Sequence, residues 1–247
     1  YSRLRLYKEC SSFAQEMKNA LAACSDEIPV IVISFNNGIY VRNMVEQLQG
    51  FGVVPIIIDN CSTDVATQNT VHEFEREGKA HIAFAGKNFG HLAAFLEPIY
   101  PLLPEVFAYT DPDLQLNPDL PKDFLHELAR LTEHFHVYKA GFALQLLEGE
   151  EVVSTKLMRS NSTPVKYEKT YSVREWESQF WRKPLSYKNL EVWAADIDTT
   201  FAVYRKSNYY GDFYDAIRVS GNYGAVHLPW FPKRDLFSEQ SRSAYSR

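Results

Sequence analysis

Two acidic residues, Asp111 and Asp113, stand one residue apart at the end of the apolar run Val106-Phe-Ala-Tyr-Thr110. Carboxylates so spaced suit a hard divalent cation such as Mg2+ or Mn2+. A cation held there can bridge a diphosphate and neutralise it. Taken alone, Asp111-Pro112-Asp113 also reads as an ordinary turn. Three further apolar runs end in polar clusters: Ser34-Phe35-Asn36-Asn37, Asp59-Asn60-Cys61-Ser62-Thr63-Asp64, and Lys87-Asn88-Phe89-Gly90-His91. Ser62 and Asp64 equally suit capping of a following helix, and Asn88-Phe-Gly suits a turn. No glycine-rich loop follows the first run, so the dinucleotide fingerprint and the P-loop are both absent. A phosphate ligand here needs another counter-charge, which a metal ion supplies.

These clusters need a scaffold that brings them to one edge. Pro29 to Ser34, Val53 to Asp59, His81 to Ala85 and Val106 to Thr110 are short, largely β-branched or apolar runs that predict buried strands. Between and after them, Tyr40 to Gln49, Thr67 to Glu77 and Pro121 to Leu131 carry helical periodicity, the last with Phe124, Leu125, Leu128 and Leu131 facing inward. A helix is also expected from about His91, broken near Pro98 and Pro101. Tyr1 to Cys24 reads as a preceding helix, with Leu6, Phe13, Met17 and Leu21 on one stripe. The alternation predicts an α/β fold, with a mostly parallel central sheet covered by helices on both faces. In such sheets ligands bind at the carboxyl ends of the strands, which is where the four clusters fall. After residue 135 the pattern loosens. Val137 to Leu147 and Phe201 to Tyr204 read as strands, whereas Thr155 to Tyr187 has little clean periodicity. No flexible linker divides the 247 residues, so the reading is one domain: an N-terminal helical segment (1–27), a ligand-binding half (28–135) and a second half (136–247).

Composition narrows the function classes. A net charge of -5 and no long basic run exclude the electrostatic footprint of a nucleic-acid binder. The cysteine count is three and no CxxC pair exists, so neither a disulfide framework nor a zinc site is expected. A reducing, cytoplasmic setting fits. The apolar runs are too short for a membrane span. Arg3, Arg5 and Lys8 leave open a weak association with the inner face of a membrane, and self-association is equally open.

The ordered set of motifs resembles family-2 glycosyltransferases. Ile28 to Asp64 is similar to the start of that family: an apolar strand, Ser-Phe-Asn, a helix, then Ile-Ile-Ile-Asp-Asn-Cys-Ser-Thr-Asp, with Cys61 where Gly is usual. Asn88-Phe-Gly matches its Asn-x-Gly segment, and Asp111-Pro-Asp113 its Asp-x-Asp metal motif. The resemblance covers about the first half of the chain. It implies a Rossmann-like fold of GT-A type and a metal-dependent, inverting transfer. The sugar would move from a nucleotide-diphosphate donor, UDP favoured, to a glycan or lipid-linked saccharide. It further implies that Ser34, Phe35, Asn36 and Asp59, with Asn60 beside them, hold the nucleoside, and that Asn88 lies near the ribose or diphosphate. Asp113 would ligate Mn2+ or Mg2+ directly, and Asp111 would touch the ribose or the metal's water shell.

In the second half, Glu191 to Arg205 resembles the family's later strand beside the donor sugar. Asp196 and Asp198 alternate there with apolar residues, so both can project from one face. Their plainer role is pairing with Arg205 or Lys206. Tyr209 to Asp215 resembles the family's Gly-Gly-Phe-Asp-Glu turn, after which many members carry Glu-Asp, the Asp being the general base. Gly221-Asn222 aligns there, and Asn cannot accept the proton. Three explanations stay open: Asp198, Asp215 or Asp196 is the catalytic carboxylate, the alignment slips, or the chain is catalytically impaired. His227 is expected as a third metal ligand, its alternative being a structural histidine. Tyr171, Trp176, Phe180, Trp181, Tyr187 and Trp193 either line an acceptor groove or pack, and Trp230 and Phe231 either stack on a sugar or pack. A sugar nucleotidyltransferase and a non-catalytic nucleotide-sugar-binding domain are the rival readings.

Overall fold

The computed structural model describes residues 3–154, 157–160 and 168–238. Six α-helices are present among them: α1 (Arg3–Glu9), α2 (Ser11–Ala23), α3 (Gly38–Gly50), α4 (Val65–Arg76), α5 (Phe124–Phe135) and α6 (Val173–Ser178). The first seven strands are β1 (Val30–Ser34), β2 (Ile56–Asp59), β3 (His81–Phe84), β4 (Val106–Thr110), β5 (Leu114–Leu116), β6 (Lys139–Phe142) and β7 (Leu157–Ser160). Six more follow: β8 (Glu168–Tyr171), β9 (Pro184–Tyr187), β10 (Leu190–Ala194), β11 (Ala202–Arg205), β12 (Ala216–Val219) and β13 (Ala225–His227).

Nine strands form one sheet in the order β3-β2-β1-β4-β11-β6-β12-β10-β9. β3, β2, β1 and β4 run parallel, as the sequence pattern requires. β11 inserts antiparallel between β4 and β6. β12 is parallel to β6, and β10 and β9 continue antiparallel. The sheet is thus parallel in its first half and mixed in its second: β11 and β10 run against the other strands, and the mostly parallel expectation holds in that coarser form. Sequence periodicity specifies which residues are buried, not which neighbour a short strand will pair with.

Side chains alternate across β1. Val30 and Val32 pack on one face with Met44 and Leu48 of α3 and Phe124 and Leu128 of α5. Ile31 and Ile33 pack on the other with Phe13 and Met17 of α2. Both faces are therefore sealed, so the ends of the strands are what remains for chemistry. A second closure lies at β6, where Gly141 pairs with Ala202. A Cβ on Gly141 would come 2.3 Å from the Phe201 carbonyl and 2.8 Å from the Ala202 methyl. Gly141→Ala is expected to cost about 2 kcal/mol, in the range for overpacked cores. It would be read as a lower urea midpoint at unchanged slope.

Three local expectations are corrected. The N-terminal helix breaks at Cys10, with Tyr1 and Ser2 outside the described residues. The segment after His91 forms only 3-10 turns, Ala93–Phe95 and Tyr100–Leu102, because Pro98 and Pro101 remove two amide donors in four residues. Glu191 to Arg205 is not one strand: β10 ends at Ala194, and a loop carries Asp196 to Phe201 into β11. Of the irregular stretch Thr155 to Tyr187, residues 155–156 and 161–167 lie outside the described residues. Among the described residues, no helix is long and apolar enough to cross a membrane. Cys10, Cys24 and Cys61 are free.

Candidate functional site

The carboxyl ends of β1, β2 and β4 point to the same edge of the sheet, since the three strands are parallel and in register. The loops that leave them lock to one another. Asn36 adopts a left-handed backbone (φ 51°), and its amide oxygen accepts the backbone N–H groups of Thr63 (2.8 Å) and Asp64 (2.9 Å). The Ser34 hydroxyl donates to Asn37 Oδ1 at 3.1 Å. Asn60 donates to Asn88 Oδ1 at 2.9 Å and accepts the Phe89 N–H at 2.8 Å. Asp64 caps α4 by accepting the Thr67 N–H at 2.8 Å, the plainer of its two readings. Ser34, Asn36 and Asn60 are thus spent on holding the loops together.

Asp59 differs. One carboxylate oxygen accepts the Ser62 N–H at 3.2 Å, while Oδ1 is buried and has no partner. An orphaned buried carboxylate oxygen is costly, which marks it as a place for a donor from outside. Beside these loops lies a cavity of about 320 Å3 lined by Phe35, Asn60, Asn88 and Asp111, among others.

Cys61 occupies a left-handed conformation at φ 65°. A side chain there is strained, whereas Gly adopts the conformation freely. Cys61→Gly is expected to stabilise the fold by about 0.5–1 kcal/mol, the strain relieved exceeding the extra entropy Gly loses on folding. A rise in thermal midpoint would register it, and a fall would show the thiol to be packed favourably.

Asp111 and Asp113 follow β4. The Asp111 N–H donates to the Thr199 carbonyl at 3.1 Å, and the Thr199 hydroxyl makes a short hydrogen bond to Asp111 Oδ2. Burial and the adjacent Asp113 push the Asp111 carboxyl up to about 8. β5 and β13 form a small antiparallel pair in which His227 sits opposite Leu114. This register brings His227 Nε2 to 3.3 Å from Asp113 Oδ2. Burial alone would lower the His227 pKa, but the charges of Asp113 and Asp111 outweigh it and raise it. Asp113 Oδ1 and His227 Nδ1 are both buried without partners.

The three expected metal ligands therefore lie close enough to act on one another's charge. They are not a preformed ligand set, however: among the described residues no three His, Cys, Asp or Glu side chains are arranged to hold one ion. Asp111 is turned to Thr199. What fits a hard cation is the unpartnered Asp113 Oδ1 in a cluster whose acidic charge is otherwise hard to bury.

Beside His227 opens a cleft of about 600 Å3. Asp196, Asp198, Thr200, Arg218, His227 and Trp230 are among its lining residues. Asp196 and Asp198 are exposed and flank the buried Ile197, so their expected alternation holds, although in a loop rather than a strand. Neither is taken by Arg205 or Lys206: Arg205 donates to Thr132 and Ala129, and Lys206 to the Leu103 carbonyl. Asp215 does not join them. It precedes β12, where its carboxylate accepts the Tyr138 N–H at 3.0 Å and its carbonyl the Lys139 N–H. Asn222 lines a separate depression with Glu127, Lys188 and Glu191.

Four residues around the cleft escaped sequence reasoning. Thr199 ties Asp111 to the loop that carries Asp198. The Lys139 ammonium, fully buried, donates to the Asp198 carbonyl at 2.9 Å. Burial pulls its pKa down to about 7, against the opposing pull of Asp198 and Asp212. Arg218 and Glu177 form a buried ion pair at 2.7 Å. A signal existed for two of them: Lys139 and Arg218 each interrupt an apolar strand, and a charge in such a run requires a partner.

No sequence family matches the chain, and no curated protein matches it. Among solved structures, 51 chains match it. One is the mannosyltransferase PcManGT from Pyrobaculum calidifontis in complex with GDP-Man and Mn2+. It has 13% identity and a TM-score of 0.48, over 92% of this chain and 68% of that chain.

Proposed function

We propose that this chain is a metal-dependent glycosyltransferase of GT-A type, taking a nucleotide-diphosphate sugar and an acceptor saccharide. The observation that carries the reading is the Asp111–Asp113 turn, flanked by a cavity and a cleft and holding a buried carboxylate oxygen without a partner. In this reading the smaller cavity takes the nucleoside. Phe35 packs on the base, Asp59 Oδ1 accepts from base or ribose, and Asn88 lies toward the diphosphate. Asp113, with Asp111 and His227 beside it, holds Mn2+ or Mg2+. When bound, that ion supplies positive charge to the diphosphate and stabilises the leaving nucleotide.

The larger cleft takes the donor sugar and the acceptor. Asp198 is the stronger candidate for the base that removes the acceptor's proton, with Asp196 second. Asp198 is exposed in the cleft, and its backbone is fixed from both sides, by Lys139 at its own carbonyl and by Thr199 on Asp111. Direct displacement by the activated hydroxyl inverts the anomeric carbon. Two carboxylates in different loops thus have different tasks, one beside the leaving group and one beside the nucleophile.

The test is a thermal-shift screen of UDP-, GDP- and dTDP-sugars with and without Mn2+. A ligand that binds only the folded state must raise its apparent stability. A metal-dependent rise with one nucleotide class is expected. No rise with any of them sinks the reading, and pyrophosphate formation from a nucleoside triphosphate and a sugar phosphate replaces it with a nucleotidyltransferase.

A further inference from the structure

Lys139 opens β6, yet its side chain is fully buried. Desolvating an ammonium is costly unless the surroundings repay it. Two loops do so here. The first runs from β10 to β11 and presents the Asp198 carbonyl. That oxygen accepts from Lys139 Nζ at 2.9 Å and from the Tyr204 hydroxyl at 3.3 Å. The second runs from β11 to β12 and presents the faces of two rings. Nζ lies 3.7 Å from the centre of the Phe213 ring and 5.9 Å from that of Tyr214, with Tyr204 of β11 at 5.0 Å. A desolvated cation is attracted to such faces. Both loops reach the same cleft, since Asp198 and Tyr214 line it together.

A methionine would fill much of the same space without the cost of burying a charge. It would neither donate to a carbonyl nor draw a ring toward it. Resting on the reading of this cleft as the acceptor site, we infer that Lys139 is a positioning residue: the charge of its ammonium, rather than its bulk, holds the loop carrying Asp198 and the loop carrying Tyr214 in one arrangement. The candidate base and a ring suited to a sugar face then stand at a fixed separation. The charge is conditional. Burial pulls the Lys139 pKa down to about 7, a pull that Asp198, Asp212 and Asp196 oppose and Arg218 reinforces. With the Tyr204 and Tyr214 hydroxyls, these are the titratable groups that face it from the two loops, β11 and β12. The ammonium is present below the folded-state value and is lost as pH rises through it, so the loops are held at low pH and released at high pH.

NMR of the intact chain, without ligand, tests this from about pH 5.5 to about pH 8.5. The signals are the Ile197 methyl on the first loop and the Tyr214 ring on the second, with the Ile31 and Ile33 methyls of β1 as the control for an intact sheet. In the wild type both loop signals are expected to shift together with one midpoint near that of Lys139. In Lys139→Met the step should vanish, and the population of displaced loop conformers, read by relaxation dispersion, should rise about tenfold at the acid end, the worth of one desolvated cation–ring contact. Asp111 also titrates in this range and touches the first loop through Thr199, so the Tyr214 ring is the deciding signal. Phe213→Leu keeps the ammonium and removes its nearest ring, and should move the midpoint to lower pH. A Tyr214 signal without a step in the wild type overturns the assignment. A step that survives in Lys139→Met, or one that Phe213→Leu leaves in place, does the same. The wild-type and Phe213→Leu measurements decide it even where Lys139→Met does not fold. Nucleotide binding plays no part in these measurements. Its failure in the thermal-shift screen sinks the donor reading alone, and loops indifferent to Lys139 sink this one alone.

Discussion

Replacing Asp113 by Asn is expected to abolish the dependence of nucleotide affinity on Mn2+ while leaving the fold intact. Asn preserves the shape of the side chain and removes the negative charge that a hard cation needs. Asp113 Oδ1 is buried and accepts nothing from the protein, so no internal hydrogen bond is lost there. Oδ2 faces His227 at 3.3 Å, a contact an amide oxygen can still make. Removing the charge also relieves Asp111, whose carboxyl is held up at about 8 by burial and then by Asp113.

Partners one step removed from a metal cost roughly 10- to 100-fold in metal affinity when lost, so a direct ligand should cost at least about 100-fold. That corresponds to about 2.7 kcal/mol of ligand-dependent stabilisation. Calorimetric titration of UDP and GDP, with and without Mn2+, reads it directly. Metal-dependent affinity equal to that of the wild type would remove Asp113 from the site. The unliganded thermal midpoint of the variant should stay within a degree or two of the wild type, because the effect belongs to the ligand and not to folding.

The second large effect is on stability. Arg218→Met is expected to cost about 3–5 kcal/mol, the usual penalty for stranding one member of a buried ion pair. Glu177 is 1% exposed and Arg218 5%, so the carboxylate left behind stays largely out of solvent. The same change also frees the Asp196 carbonyl and uncovers the Phe180 ring, so it loosens the cleft at three points.

The pH dependence gives the prediction its sign. Burial raises the Glu177 carboxyl to about 7 against the pull of Arg218. With Arg218 gone, that opposition is lost and the folded-state pKa rises further. A carboxyl whose folded pKa is raised favours folding while protonated, below its unfolded value of about 4.5, and loses that contribution as pH climbs through the folded value. The deficit of Arg218→Met should therefore be smallest near pH 5 and grow toward pH 8. Urea midpoints at the two pH values measure it. A deficit independent of pH would mean that Glu177 is not the group left stranded. Glu177→Leu combined with Arg218→Met should recover most of the loss, since an apolar pair of similar volume replaces a buried ionic one at little cost.

The sequence by itself determined the elements of the first half and their order. Runs such as Val30–Ser34 and Ile56–Asp59 are buried on both faces, the pattern of a strand covered on both sides and common in parallel sheets. Parallel strands then carry their following residues to one edge, so Asp59 and Asp111 were legible as sharing that edge. Local chemistry was equally legible where it acts over three or four residues, as in Asp64 on Thr67. Only the tertiary structure decided the rest. That β11 runs antiparallel between β4 and β6 depends on long-range pairing, and it alone brings Thr199 to Asp111 and Lys139 to Asp198. That His227 meets Asp113 follows from the register of β13 on β5, two strands with 108 residues between them that share no local signal. Asp215 looked as available as Asp198 because both are acids beside strands, yet its carboxylate is consumed by a backbone N–H that sequence spacing does not reveal. Periodicity reports which side of an element is buried. Which buried groups find each other is set by the free energy of the whole packed arrangement, in which an unpaired charge costs more than any local preference repays.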